Sequence, residues 1–293
     1  MYDSRYKPSD LKNSNFFKPL ALSDSIVLKH RGVMPPLTRY RNVTGNTFDL
    51  STAYAETSDW KTFISKPETK TGDKVRGLVE EYYHQRSQKE GTLIIIEGTL
   101  ISDRFGGSPK FPMINNDIQV KNLSQVVNAI HENKSFAVQQ IVGLGRQADA
   151  EYLKSKGLRY LAPSPVYVAE NDRYDTKVKA ERSGNLLQEC TLDDIKDIKA
   201  DFLFAAEKAF EAGVDAVEIH GANGYLLNQF IDKKTNKRTD KYGTSNNEDR
   251  ARLFLEVYDE MVVAHGSDKV AIRLSPFGLM GDMTAATDPE DTV

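Results

Sequence analysis

Cysteine is almost absent: Cys190 stands alone, so no internal disulfide can form, and a disulfide-stapled scaffold is excluded. Five histidines and that one cysteine form no cluster at zinc spacing, and no metal site is expected. Neither sign of charge is in excess. Thirty-nine Lys+Arg against 42 Asp+Glu leave a net charge of -3, which argues against a nucleic-acid surface. Long apolar runs are missing too. Leu93 to Ile96 is among the longest, far short of the roughly 20 residues of a membrane span. The start, MYDSRYKPSD, is polar and mixed in charge, unlike a signal peptide. The expectation is a soluble, cytoplasmic protein that engages neither nucleic acid nor membrane. What the chain does have is a globular balance, 39% hydrophobic and 28% charged over 293 residues. That excludes wholesale disorder and fibrous repeats.

Five short apolar or β-branched runs read as strands: His30 to Pro35, Thr92 to Gly98, Ser135 to Val142, Val214 to His220 and Val270 to Leu274. Helical patterns lie between them. One is the segment VRGLVEEYYHQRSQ, and another is Leu123 to Glu132, with apolar residues at helical spacing. A third opens on a capping box, Thr191 with Asp194, and stops at Gly213; Ile195, Ile198, Phe202, Ala205 and Ala209 make its apolar face. A fourth runs through NNEDRARLFLEVYDEMVVAH to Gly266. Strand and helix in alternation predict βαβ units around a parallel sheet, with all five strands buried on both faces. A doubly wound sheet and a (β/α)8 barrel both remain open at this point.

Two stretches break the alternation. Residues 42–73 read as a polar surface insertion, and residues 145–190 as a long excursion after the third strand. Excursions of that length after a strand are usually functional.

The densest chemical signal is Val217 to Phe230, VEIHGANGYLLNQF, where His220, Asn223 and Tyr225 crowd the end of a strand. His and Asn can both donate to one oxyanion, and a tyrosine hydroxyl can give up a proton. A capped strand end with a core histidine is the bland alternative. Thr38, after the Pro35–Pro36 pair, offers a hydroxyl at another strand end, although a plain turn explains it better. Arg273 stands inside an apolar strand, so it must meet a carboxylate or a ligand anion. GLGRQA, Gly143 to Ala148, matches a dinucleotide-binding fingerprint. Its glutamine-bearing strand, third place in the chain and short charged follower segment argue against that reading. Cys190 precedes a helix cap, a position able to lower a thiol pKa somewhat, but no partner is identifiable and a bland surface or semi-buried cysteine is the favoured reading.

The segments PPLTR, IIEGTLIS, EIHGANGYLLNQF, RTDKYG and IRLSPFG, in this order, resemble the old yellow enzyme family of flavin-dependent ene-reductases, its yeast-type members in particular. The resemblance runs from about Asn15 to about Gly278. It implies a (β/α)8 TIM-barrel holding FMN across the strand ends, taking hydride from NAD(P)H and reducing the C=C bond of an α,β-unsaturated carbonyl compound. Matched position by position, it implies that Pro36, Leu37 and Thr38 line the flavin and that Gly98 approaches it through its backbone. Gln140 would bond its pyrimidine end, and Arg273 would sit beside N1 and O2. His220 and Asn223 would hold the substrate carbonyl, and Tyr225 would supply the proton. NAD(P)H would then use the same open face, and GLGRQA becomes loop.

Departures from the family pattern carry expectations of their own. Val142 stands where members of this type often carry an aromatic residue, which predicts a wider substrate pocket there. The stretch YGTS replaces the family's YGGS. Only about the first five βα units of a barrel are present, in what reads as a single incomplete domain over residues 1–293. Three further units would need about 90 residues, and the family's phosphate-binding loops lie among them. The chain therefore reads as truncated at its C-terminus, with open sheet edges that self-association into a homo-oligomer would cover. The alternative reading is a non-catalytic family remnant that does not hold FMN and acts through protein contacts.

Overall fold

The computed structural model describes residues 14–40, 69–71, 74–108, 111–169 and 175–284. A five-stranded parallel sheet dominates it. Its strands are β3 (Val33–Met34), β6 (Leu93–Leu100), β7 (Phe136–Val142), β10 (Ala216–Gly221) and β11 (Val270–Leu274). Their order across the sheet is β11-β10-β7-β6-β3, and every neighbouring pair is parallel. Spatial order therefore follows chain order with no reversal. A barrel wall is built this way, whereas a doubly wound sheet reverses at a switch point. Each crossover carries a helix: α1 (Leu78–Ser87), α2 (Asp117–His131), α5 (Leu192–Glu211) and α7 (Asn247–His265).

Alternation along the strands builds two layers. Ile94, Ile96, Ala137, Ile141, Val217 and Ile219 face outward into one core with α1, α2, α5 and α7. Ile195, Ile198, Phe202, Ala205 and Ala209 of α5 are fully buried against them. Each such side chain contributes about 1.5–3 kcal/mol when fully removed from water, less for the alanines. The capping box at Thr191 and Asp194 starts α5 as the sequence predicts. Helix α2 begins earlier than Leu123, because Asn116 caps it by accepting from the Gln119 amide.

The opposite face, the inside of the curl, changes character along its length. At its N-terminal end Leu93, Ile95, Val138 and Ala216 pack against Ile26 and Leu28. Those two come from an antiparallel hairpin, β1 (Leu20–Ala21) with β2 (Val27–Leu28), which plugs the base. Further along β7 and β10, and on the neighbouring β11, the inward positions become Gln140, Glu218, His220 and Arg273.

Burial on both faces holds for β6, β7 and β10, but not for the outer strands. Strand β11 buries only Val270 fully, and Ile272 and Leu274 stay exposed. Strand β3 is two residues long and buries neither. Each has one hydrogen-bonded neighbour among the described residues.

Most of the polar insertion read at 42–73 lies outside the described residues. Its far end forms an antiparallel pair, β4 (Thr69–Thr71) with β5 (Lys74–Arg76). The excursion at 145–190 is not plain loop. It holds α3 (Ala150–Ser155) and α4 (Thr176–Ser183), with β8 (Tyr160–Ala162) paired in parallel to β9 (Leu187–Glu189). Short α6 (Leu226–Ile231) follows β10.

Candidate active site

A bulge in β6 sets the floor of the site. The register with β7 slips between Ile96 and Thr99, and such a slip re-aims side chains. Gln139 braces it, its Nε2 donating to the Glu97 carbonyl at 3.0 Å and to Thr99 Oγ1 at 2.8 Å. The Glu97 side chain points to the helix side, fully buried. It accepts from Arg39 Nε at 2.9 Å, and its backbone N–H donates to Tyr83 Oη at 3.0 Å. Arg39 lies over the Tyr82 ring at 4.2 Å, and its backbone N–H reaches Glu97 Oε2 at 3.2 Å. This pair ties the segment after β3 to the sheet and places Thr38.

Gly98, next to Glu97, faces inward. A Cβ there would stand 3.1 Å from Gln140 Oε1, 3.3 Å from Thr38 Oγ1 and 3.6 Å from Val142 Cγ1. Four of the anticipated residues thus converge on one patch of bare backbone. Val142 is itself buried, packed with Leu100, Phe111 and Leu144.

A polar chain continues across the sheet. Gln140 and Glu218 are register partners, as are His220 and Arg273. Gln140 Nε2 donates to Glu218 Oε1 at 2.7 Å, and Arg273 Nε donates to the same oxygen at 2.9 Å. The carboxylate demanded by Arg273 is therefore Glu218, a residue the sequence reading passed over. Its signal was available: an acid inside the apolar strand DAVEIH is as costly unpaired as an arginine in the next strand.

His220 is 6% exposed. Burial, with Arg273 close by, lowers its pKa to about 4. Its Nδ1 accepts the Ala222 N–H at 3.2 Å, so the neutral ring keeps its proton on Nε2. The Tyr225 ring meets it edge to face, and the residue stands at the N-cap position of α6 without a side-chain cap bond. Between them Asn223 takes a left-handed conformation, φ 56°. Its N–H donates to Ser275 Oγ at 2.8 Å, and its carbonyl accepts from Gln147 Nε2 at 2.9 Å. Ser275, just past β11, thus fixes the turn that carries Asn223. Pro36 and Leu37 sit apart from this network, and Leu37 is half exposed.

Two further segments carry no chemistry of their own. GLGRQA is a packed turn and not a phosphate cradle. A Cβ on Gly145 would fall 2.1 Å from Gln229 Oε1, and one on Gly143 would fall 2.8 Å from Leu226 Cδ2. Arg146 within it is fully buried and donates to the carbonyls of Tyr167 at 3.0 Å and Asp282 at 2.9 Å. Cys190 is not an activated thiol. Burial, reinforced by Asp194, pushes its pKa up to about 12.

The chain matches the sequence profile of the NADH:flavin oxidoreductase / NADH oxidase family over residues 60–293. It is 42% identical over 285 residues to Enoate reductase 1 of Kluyveromyces lactis, covering 97% of this chain and 64% of that protein. It is 47% identical over 197 residues to a Probable NADPH dehydrogenase of Candida albicans, covering 67% of this chain and 47% of that one. Among solved structures it is similar to Old Yellow Enzyme from Pichia sp. AKU4542, with TM-score 0.80 and 39% identity over 94% of this chain and 63% of that one. The chain thus spans less than two thirds of the length of these relatives. Its curled sheet corresponds to part of a (β/α)8 barrel.

Proposed function

This chain belongs to the NADH:flavin oxidoreductase / NADH oxidase family, and from that premise we propose that it is an FMN-dependent NAD(P)H oxidoreductase reducing the C=C bond of α,β-unsaturated carbonyl compounds. The observation that carries the proposal is the convergence of Thr38, Gln140 and Val142 on Gly98, with Gln140 hydrogen-bonded to the Glu218–Arg273 pair and His220 and Tyr225 in contact at the end of the neighbouring strand. The names of the enoate reductase and NADPH dehydrogenase relatives support the reaction class.

The residues fit the ring end of a flavin. Gly98 leaves flat backbone where any Cβ would crowd Gln140 and Thr38, so a planar ring has room to lie against it. Gln140 and Thr38 then offer polar groups to its edge, and Arg273 supplies positive charge near its pyrimidine side. Pro36 and Leu37 would close over the ring from the segment held by the Arg39–Glu97 pair.

A flavin held by Thr38, Gly98, Gln140 and Arg273 would supply hydride chemistry, with NAD(P)H as the hydride source. The remaining work belongs to the chain. His220 is neutral with its proton on Nε2, so at pH 7 it donates a hydrogen bond to the substrate carbonyl without carrying charge itself. Asn223 donates the second bond, which draws electron density off the β-carbon. Tyr225 Oη passes its proton to the α-carbon. Val142 leaves room at the pocket wall for bulkier substrates. The residues 1–293 act here as one incomplete barrel domain.

A second reading, a family member that holds no flavin and acts through protein contacts or self-association, draws on the β11 edge. Leu274 and Phe277 there are 53% and 66% exposed. The two readings separate in an anaerobic assay with NADPH, FMN and 2-cyclohexenone in D2O. The first predicts the saturated ketone with one solvent deuterium on the α-carbon. No product supports the second.

A further inference from the structure

We infer that Glu218 is a positioning residue for the flavin's pyrimidine edge: its carboxylate holds the Gln140 amide with the oxygen outward and clamps the Arg273 guanidinium beside it. The inference rests on the functional reading above and goes beyond it, because it sets what those two side chains offer a ligand.

Glu218 is 5% exposed. A carboxylate so far from water needs charged or donor partners. It has both, accepting from Gln140 Nε2 at 2.7 Å, from Arg273 Nε at 2.9 Å and from Arg273 Nη2 at 3.3 Å. An amide has one donor end and one acceptor end. With Nε2 committed to Glu218, the end that faces Gly98 is Oε1, the atom 3.1 Å from its absent Cβ. Gln140 therefore presents an acceptor, and the matching group on a pyrimidinedione ring is its imide N–H.

The second consequence is electrostatic. Arg273 is one-third exposed and reaches the rim, yet its guanidinium is paired. The two groups together carry no net charge. Glu218 thus limits how strongly the site draws negative charge onto a bound ring, while keeping the guanidinium planar against the sheet. A carboxylate present only to satisfy a strand arginine would not also need the flavin-facing amide.

Glu218→Gln keeps the side-chain shape and removes the charge. The full chain, unmodified and substituted, is titrated with FMN by fluorescence quenching, and the midpoint potential of the bound flavin is measured. We expect FMN affinity to fall about tenfold, as for loss of a charge-assisted hydrogen bond. We expect the potential to move positive, because Arg273 is left unopposed. In a Gln140→Ala background the affinity effect should shrink to about threefold or less, since coupled residues do not add. Glu218→Asp keeps the charge but cannot reach Gln140; it should weaken binding and leave the potential near that of the unmodified chain. That variant carries the test if Glu218→Gln fails to fold. Unchanged affinity and potential in the substituted chains, or additive effects with Gln140→Ala, overturn the inference alone. An unmodified chain that binds no FMN overturns the functional reading and the inference together.

Discussion

The rings of His220 and Tyr225 meet edge to face, with centroids 5.0 Å apart and planes at 82°. One lies near the end of a buried strand and the other at the N-cap position of the following helix, so the contact fixes both side chains relative to the sheet. Tyr225→Phe keeps that contact and removes only the hydroxyl. Enone reduction should fall about 10²- to 10⁴-fold, the usual worth of a positioned proton donor. Reduction of bound flavin by NADPH should be unchanged in stopped-flow traces. Enone reduction at the unmodified rate would remove Tyr225 from the chemistry.

His220 predicts a pH dependence of stability. Unfolded, its ring takes a proton near pH 6.5, about the ordinary value; folded, it does so only at about 4. The folded-state pKa is depressed, so this stability is full above about pH 6.5 and is lost as pH falls towards 4. The total is on the order of 3 kcal/mol. His131, whose pKa a hydrogen bond to Asp215 raises, acts in the opposite sense, so a reference variant is needed. In urea melts, the stability difference between the unmodified chain and His220→Gln should shrink from pH 7.5 to pH 4.5. A difference that stays constant contradicts a buried neutral ring.

Gly98→Ala separates site from fold. The new methyl would stand 3.1 Å from Gln140 Oε1 and 3.3 Å from Thr38 Oγ1, close contacts but with side chains and not with backbone. Thermal stability should change by about 1 kcal/mol or less, while FMN affinity drops at least tenfold. Equal losses in both measurements would mean that Gly98 serves backbone packing only.

Much of this architecture is legible in the residues. Strands β6, β7 and β10 show as apolar runs because both their faces are covered. The outer strands carry similar runs, and their exposure depends on neighbours that no local pattern encodes. The hairpin at Leu20–Leu28 goes unseen because strands of two residues leave no periodicity. Arg273 announces a buried partner, but its identity needs the register that sets Gln140 beside Glu218 and His220 beside Arg273. GLGRQA is legible as a loop from its glutamine-bearing strand and its third place in the chain. Its glycines match a phosphate motif, yet they are there to admit Gln229 and Leu226. The individual site roles follow from family resemblance, since spacing alone leaves His220 as a plausible core histidine.

Arg39 tests the support beneath Thr38. Arg39→Ala leaves Glu97 buried with its main cationic partner gone, a change that costs about 3–5 kcal/mol in comparable pairs. Chemical denaturation should show that loss. A cost below about 1 kcal/mol would mean that the pair is dispensable.

Cys190 offers a simple check of burial. With a thiol pKa of about 12 and 1% exposure, it should resist an aromatic disulfide reagent in the folded chain and react fully in denaturant. Rapid reaction under native conditions would contradict the packing around β9 and α5.

The most direct test of the central claim, a flavin site at the C-terminal ends of β6, β7, β10 and β11, is a visible absorption spectrum of the 293-residue chain mixed with FMN and then desalted. The account predicts a retained flavin band, perturbed from that of free FMN and weakened by Gly98→Ala. A chain that emerges colourless would contradict it.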